Sequence, residues 1–301
     1  MKKTLLLLST SLLLAACASH TGAPDSANVT LEKTDYRVIE NQRYTPEDWP
    51  QALSADIYVP AGEQPRPAVL VVHGGGWARR SPEDMRGISE KLASRGFVAV
   101  NIAYRFAPAY RFPAQLHDVQ QAMRWIHANA DDYGIDRKRV AALGYSSGAH
   151  LVSLLALVAG TDSELDTPYG GPVTRPFAVI AGGIPSDLRK FTGGTLVPQF
   201  LGGTISEIPE VFAQASPVVH VHENAPPFFI YHGSSDMLVS ADHATDFYDA
   251  LQAENVEAEL YLLRLRGHLT AFVTSGGAIK AGMRFLDRVM PAPSEATVLA
   301  R

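Results

Sequence analysis

The chain has 301 residues, of which 46% are hydrophobic and 19% charged, and its formal net charge is −5. That length suits one large domain with an ample core, and a mildly acidic balance argues against nucleic acid as a partner. Cys17 is the single cysteine, so no intrachain disulfide can form. There is no internal repeat and no charge run.

At the N-terminus, Lys2 and Lys3 precede an apolar stretch from Leu5 to Leu14 that holds Ser9, Thr10 and Ser11, and small residues follow. This is the pattern of a secretory signal, too short to span a membrane as a lasting helix. The segment Leu14, Ala15, Ala16, Cys17 resembles the lipobox of bacterial lipoproteins, which are cleaved before the cysteine and acylated on it. The resemblance implies a signal peptide over residues 1–16 and a lipid on Cys17. It also implies an exported protein sorted, by Ala18 rather than Asp after the cysteine, to the outer membrane of a Gram-negative source, facing the periplasm or the surface. Removing the signal takes away Lys2 and Lys3 and no acid, so the formal charge moves from −5 to −7. Residues 17–30, rich in Ser, Ala, Gly, Asn and Pro without an apolar period, read as the acylated cysteine and a flexible tether. Residues 31–301 read as the folded domain.

Within that domain, strand-like runs alternate with helical ones, the signature of a mostly parallel sheet with crossovers on both faces. The strands are expected at 36–40, 55–59, 68–72, 98–104, 140–144, 178–181, 227–232 and 258–265, and helices at 82–94, 113–129, 147–159, 241–253 and 269–290. In the helix at 113–129, Leu116, Val119, Met123 and Ile126 share one face. Ligands in such sheets sit beyond the carboxyl ends of the strands.

The third strand runs into His73, Gly74, Gly75, Gly76 and Trp77. Glycine there lets backbone N–H groups approach a ligand closely, so Gly74 and Gly75 are candidate oxyanion donors, with the amide of Ser147 as the other. His73 reads as a brace for this loop. Further on, Gly144, Tyr145, Ser146, Ser147 and Gly148 lie between the apolar run Val140 to Leu143 and a second one from Leu151. This is a nucleophile elbow: a strained strand-to-helix turn thrusts the Ser146 hydroxyl outward, toward a base. Trp77 and Tyr145 are candidates to line the substrate pocket.

The stretch from Leu188 to Ala225 exceeds what a short crossover needs and carries Phe191, Leu196, Val197, Phe200 and other apolar residues. It is a candidate cap over the pocket, with an ordinary long crossover as the alternative. After the strand at 227–232 comes Gly233, Ser234, Ser235, Asp236, and after the strand at 258–265 comes Arg266, Gly267, His268. Asp236 and His268 are therefore the candidate acid and base. Asp187 is the competing acid, and His232 and His243 the competing bases. His150, one turn past Ser146, reads as a packed core histidine. His220 and His222 form an isolated H-x-H with no third ligand apparent, which is weak ground for a metal.

The order Ser146, Asp236, His268 is that of an α/β-hydrolase. With Tyr104 to Pro108, Arg111 to Gln115 and Ala215 to Pro217, the chain from Leu53 to Val289 resembles the esterase and lipase branch of that fold, near hormone-sensitive-lipase-like and bacterial feruloyl-esterase-like carboxylesterases. Tyr145 and Ser147 stand where a hormone-sensitive-lipase-like elbow has Asp and Ala, which moves the likeness toward the feruloyl-esterase and acyl-peptidase side. The resemblance implies an α/β-hydrolase fold with a mostly parallel eight-stranded sheet, an ester hydrolase working through an acyl-enzyme, and neither metal nor organic cofactor. The alternatives are an amidase or formamidase, an acyl-peptidase, and a lipid-anchored binding protein without turnover. Little helical sequence precedes the first strands, so a large N-terminal cap is not expected and the site should be open to short acyl groups. The partners expected are a small ester and the membrane that holds Cys17.

Overall fold

The structure, a computed structural model, describes residues 18–24, 33–62 and 65–291. Its strands are β1 (Ala18–Thr21), β2 (Tyr36–Arg43), β3 (Ser54–Pro60), β4 (Arg66–Val72), β5 (Val98–Ile102), β6 (Ile135–Tyr145), β7 (Val179–Gly182), β8 (Phe228–Gly233) and β9 (Ala258–Leu263). The helices are α1 (Arg86–Ala93), α2 (Ala114–Ala128), α3 (Ser147–Val158), α4 (Leu196–Leu201), α5 (Pro209–Gln214), α6 (Asp242–Ala253), α7 (His268–Val273) and α8 (Gly276–Val289), with short 3-10 turns between them. The strands form one sheet in the order β1-β9-β8-β7-β6-β4-β5-β3-β2. From β9 to β5 every neighbouring pair is parallel, while β3, β2 and β1 join antiparallel. Strands buried on both faces read as continuous apolar runs, which is why Ala68 to Val72 shows no alternation.

The period of two still sorts the side chains. Ala68, Leu70 and Val72 pack with residues of α2, α3 and α6 on one face, and Val69 and Val71 with residues of α1 and α8 on the other. Every residue of α3 is buried, so this helix is apolar all round and central. Truncating a side chain such as Leu154 there would cost roughly 2–5 kcal/mol.

The structure departs from the sequence expectations in three places. The sheet has nine strands among the described residues, not eight. The added strand is β1, inside the segment expected to be a flexible tether. Its register, Ala18 opposite Leu263 and Thr21 opposite Leu260, is supplied by the edge of β9 rather than by any apolar pattern of its own. A side chain on Gly22, just beyond β1 at φ +80, would lie 2.4 Å from the carbonyl oxygen of Ala258. Finally, the helix expected over 269–290 is two helices, broken at Thr274 and Ser275, and the one expected at 82–94 begins as a 3-10 turn. Cys17 and the signal segment lie outside the described residues.

Candidate active site

β6 ends at Tyr145 and α3 begins at Ser147, which leaves one residue to make the turn. Ser146 makes it at φ 54 and ψ −123, a strained conformation for a residue with a side chain. The flanking glycines are required by contact. A Cβ on Gly144 would lie 2.3 Å from the Gly148 carbonyl carbon, and one on Gly148 would lie 2.1 Å from the carbonyl oxygen of Val72.

His268 opens α7 just beyond β9, and Asp236 lies in the loop after β8. The Ser146 Oγ is 2.9 Å from His268 Nε2, and His268 Nδ1 is 2.6 Å from Asp236 Oδ2. Asp236 Oδ1 accepts from the amides of Leu238 and Val239, each at 2.9 Å. Burial raises the affinity of this carboxyl for a proton, but hydrogen bonds from His232, His268 and the Val239 amide overcome it. The net effect holds Asp236 well below the usual carboxylate range. An acid that stays ionised fixes Nδ1 of His268 as the protonated nitrogen and leaves Nε2 free to accept from the serine.

The glycine loop meets this group from the other side. A Cβ on Gly74 would lie 3.2 Å from the Ser146 Cβ, so the Gly74 backbone runs directly against the nucleophile. Gly75 sits at φ +121, where a Cβ would strike the Arg79 carbonyl oxygen at 2.1 Å. His73 is fully buried, and its Nδ1 donates to the Gly74 carbonyl at 2.6 Å. Burial lowers its pKa to about 4, so the ring is neutral at neutral pH. Tyr104 stacks on it at 4.4 Å, and its hydroxyl reaches the His73 carbonyl at 3.2 Å and the Ser147 Oγ at 3.3 Å.

A cavity of about 580 Å³ opens over Ser146 and His268. Gly74, Gly75, Trp77, Tyr145 and Ser147 all contribute to its wall, as do Phe191, Leu196 and Val197 from the segment between β7 and β8. That segment therefore covers one side of the pocket. Trp77 stacks on Phe200 at 4.4 Å and donates from Nε1 to His150 Nδ1 at 3.3 Å, while His150 Nε2 donates to the Ala215 carbonyl at 2.7 Å. His150 is thus a core histidine, neutral because burial lowers its pKa to about 4.

The competing residues lie apart from the serine. Asp187 pairs with Arg189 at 2.8 Å, and the His243 Nδ1 accepts from the Asp187 amide. His232 Nε2 donates to the Val239 carbonyl at 2.8 Å and stands 3.3 Å from Asp236 Oδ2, so it buttresses the acid. His220 ends a 3-10 turn and His222 lies two residues beyond it, each in a hydrogen bond to nearby backbone. Among the described residues, no three His, Cys, Asp or Glu side chains are grouped to hold a metal.

Sequence reasoning gave no role to Arg105 or Asp118. Arg105 follows β5, is buried, and binds both oxygens of Asp118 and the Ala114 carbonyl, while Trp49 Nε1 donates to the same carboxylate at 2.8 Å. This pair ties the start of α2 to the end of β5, beside Tyr104. A charged residue directly after an apolar strand was the available signal.

The BD-FAE family model matches residues 55–251, about two thirds of the chain. The chain belongs to the BD-FAE family. Among relatives of this BD-FAE chain, esterase LipC of Mycobacterium tuberculosis is 35% identical over 199 residues, covering 63% of this chain and 49% of that protein. The BD-FAE chain spans about half the length of the curated relatives it matches. A truncated carbohydrate esterase from gut microbiota superposes with a TM-score of 0.74 at 21% identity, covering 86% of this chain and 98% of that one. A bifunctional GH43-CE protein of Bacteroides eggerthii also gives 0.74, at 26% identity, over 84% of this chain and 35% of its own. The fold of this BD-FAE member is thus the α/β-hydrolase fold of known esterases.

Proposed function

We propose that the protein is a serine carboxylesterase that hydrolyses short-acyl esters through an acyl-enzyme, and that it is held on a membrane by a lipid on Cys17. The observation that carries the reading is the unbroken chain of hydrogen bonds from Ser146 Oγ through His268 to Asp236 at the floor of an apolar cavity. His268 Nε2 takes the serine proton as Oγ attacks the ester carbonyl, and the Asp236 carboxylate stabilises the imidazolium. The Gly74, Gly75 and Ser147 amides receive the oxyanion, each such donor being worth about 3 kcal/mol in the transition state. His268 then returns the proton to the departing alcohol, and water, activated by the same imidazole, releases the acid. Named esterases among the relatives support this chemistry.

The short-acyl preference rests on the mouth of the cavity. Leu238, Leu269 and Val273 line it yet are each more than half exposed, so methylenes laid against them lose little contact with water. A buried methylene contributes about 0.8 kcal/mol only where the wall covers it. Membrane attachment rests on the sequence around Cys17; no helix among the described residues is long and apolar enough to cross a membrane.

The test is active-site labelling with a fluorophosphonate, together with hydrolysis of p-nitrophenyl butyrate. Both are expected in the parent protein and absent from Ser146→Ala. A folded parent protein that neither labels nor turns over esters, N-formyl amides or acyl peptides would leave a binding protein of the same fold.

A further inference from the structure

The five most exposed large apolar side chains among the described residues are Met237, Leu238, Leu265, Leu269 and Val273, between 59% and 99% exposed; no other exceeds 46%. All five follow the carboxyl ends of β8 and β9; Leu238, Leu269 and Val273 line the cavity, and Met237 adjoins Leu238 in the chain. Arg264 and Arg266 flank Leu265 and are exposed, as are Arg79 and Arg80 across the mouth. The acid among these groups is Asp84, 3.5 Å from Arg80. A cationic rim with protruding apolar tips on an otherwise acidic protein has the chemistry of an interfacial lipid-binding surface.

β1 supplies the second observation. Because β1 runs antiparallel to β9, its first residue, Ala18, pairs with Leu263 at the active-site end of the sheet. The strand pairing and the two steps from Leu263 to Leu265 put the Ala18 Cα within about 13 Å of the Leu265 Cα. The strand is fastened: His20 Nε2 is 2.6 Å from Glu259 Oε2, Arg288 binds the other oxygen of Glu259, and the His20 ring packs on Phe229 and Tyr261. The first described residue is therefore held beside the apolar rim, one peptide bond from the cysteine proposed to carry the lipid.

We propose that the anchored protein sits mouth-down on the lipid surface, with Met237, Leu238, Leu265, Leu269 and Val273 dipping into the headgroup layer and Arg264 and Arg266 meeting anionic lipid. This rests on acylation of Cys17 as proposed above. Lipid would then complete the open wall of the cavity, and esters dissolved in the bilayer would reach Ser146 without crossing water.

The experiment uses the full chain, purified with its lipid and reconstituted in vesicles of phosphatidylethanolamine and phosphatidylglycerol. Acylation blocks the thiol of Cys17, so Leu265→Cys and Phe177→Cys each offer one site for a polarity-sensitive fluorophore; Phe177 precedes β7, at the opposite end of the sheet. Spin-labelled lipid is expected to quench the label at position 265 several-fold more than that at 177. Equal or reversed quenching, or a label at 265 shielded without quenching, as in a dimer of two copies, would overturn the proposal. Mass spectrometry of the N-terminal peptide separates the two readings. If Cys17 is unacylated, the anchor fails, and Cys17→Ser/Leu265→Cys protein added to the same vesicles tests the rim alone: quenching supports mouth-first seating, and its absence overturns it. In the anchored protein, Met237→Glu with Leu265→Glu should lower turnover of a bilayer-dissolved ester about tenfold and leave a water-soluble acetate ester unchanged. Equal loss on both substrates would count against the proposal.

Discussion

The phenolic hydroxyl of Tyr145 donates a hydrogen bond to the backbone carbonyl of His268, 123 positions along the chain. The residue just before the nucleophile thus holds the residue that serves as its base, and the Tyr145 ring lies 5.2 Å from the His268 imidazole. Asp236 fixes the imidazole from its far nitrogen, and Tyr145 fixes the backbone from which it projects. Removing the hydroxyl leaves the triad chemically complete but lets α7 drift relative to the elbow.

Tyr145→Phe should therefore lower kcat about tenfold with little change in KM, since misplacing a base costs transition-state geometry and not ground-state binding. It should also destabilise the fold by about 1 kcal/mol, the typical worth of one such hydrogen bond. Steady-state kinetics with a p-nitrophenyl ester separate the two constants, and a rise in KM at constant kcat would assign Tyr145 to binding instead.

For the triad, Ser146→Ala and His268→Ala should each reduce kcat by roughly 10⁴ or more, because the three residues act as a unit. Asp236→Asn should be comparably severe, since the amide cannot hold the required imidazole tautomer. Asp187→Asn should be mild, because Asp187 is engaged with Arg189. Loss of turnover in Asp187→Asn with survival in Asp236→Asn would reverse the assignment of the acid.

The parts of this site that could be read from the sequence are those where local conformation and chemistry coincide. Gly144 and Gly148 announce a turn that tolerates no side chain, and Asp236 and His268 each follow an apolar run that must be a strand. The parts that could not be read depend on distant partners. Residues 18–21 carry no alternation, and their strand exists because the edge of β9 is free and Glu259 lies 239 positions away to receive His20. Likewise, Arg105 and Asp118 are unremarkable as residue types until burial brings them together at 2.8 Å. The break at Thr274 and Ser275 carries neither glycine nor proline in its own two positions, so periodicity ran through it.

Stability should fall with acid from just below neutral pH. Burial lowers His73, His117, His150 and His243 from 6.5 to about 4. The unfolded chain therefore binds their protons first, and their contribution is full above about 6.5 and lost as pH falls toward 4. Asp118 and Asp287, raised by burial to about 6, act in the opposite sense below that value, but they are two against four. With His117 partly exposed and discounted, the net loss between pH 7 and pH 5 should be on the order of 3 kcal/mol. Urea midpoints across that range check it, and a flat or rising profile would contradict it.

Membrane attachment should depend on one thiol. Cys17→Ser should move the protein from the membrane pellet to the supernatant and leave its activity on soluble esters intact, because the site is built entirely from residues 73 onward. A Cys17→Ser protein still pelleting with membranes at high salt would show that something other than the acyl chain is sufficient to hold it.

Chain-length dependence offers the sharpest check on the pocket, and the detached Cys17→Ser protein is the form in which to measure it. Away from lipid, the cavity has one covered side, built by Phe191, Leu196 and Val197, and one side formed by Leu269 and Val273, whose own exposure is 66% and 81%. The first few methylenes of an acyl chain meet the covered side and each contribute about 0.8 kcal/mol, while later ones lie against side chains that remain wet. The ratio kcat/KM should therefore rise from acetate toward butyrate or hexanoate and then level or fall toward palmitate. A continued climb beyond about ten carbons in the absence of any lipid surface would mean that the segment between β7 and β8 closes over the chain as a lid, and the open-mouthed reading of the site would fail.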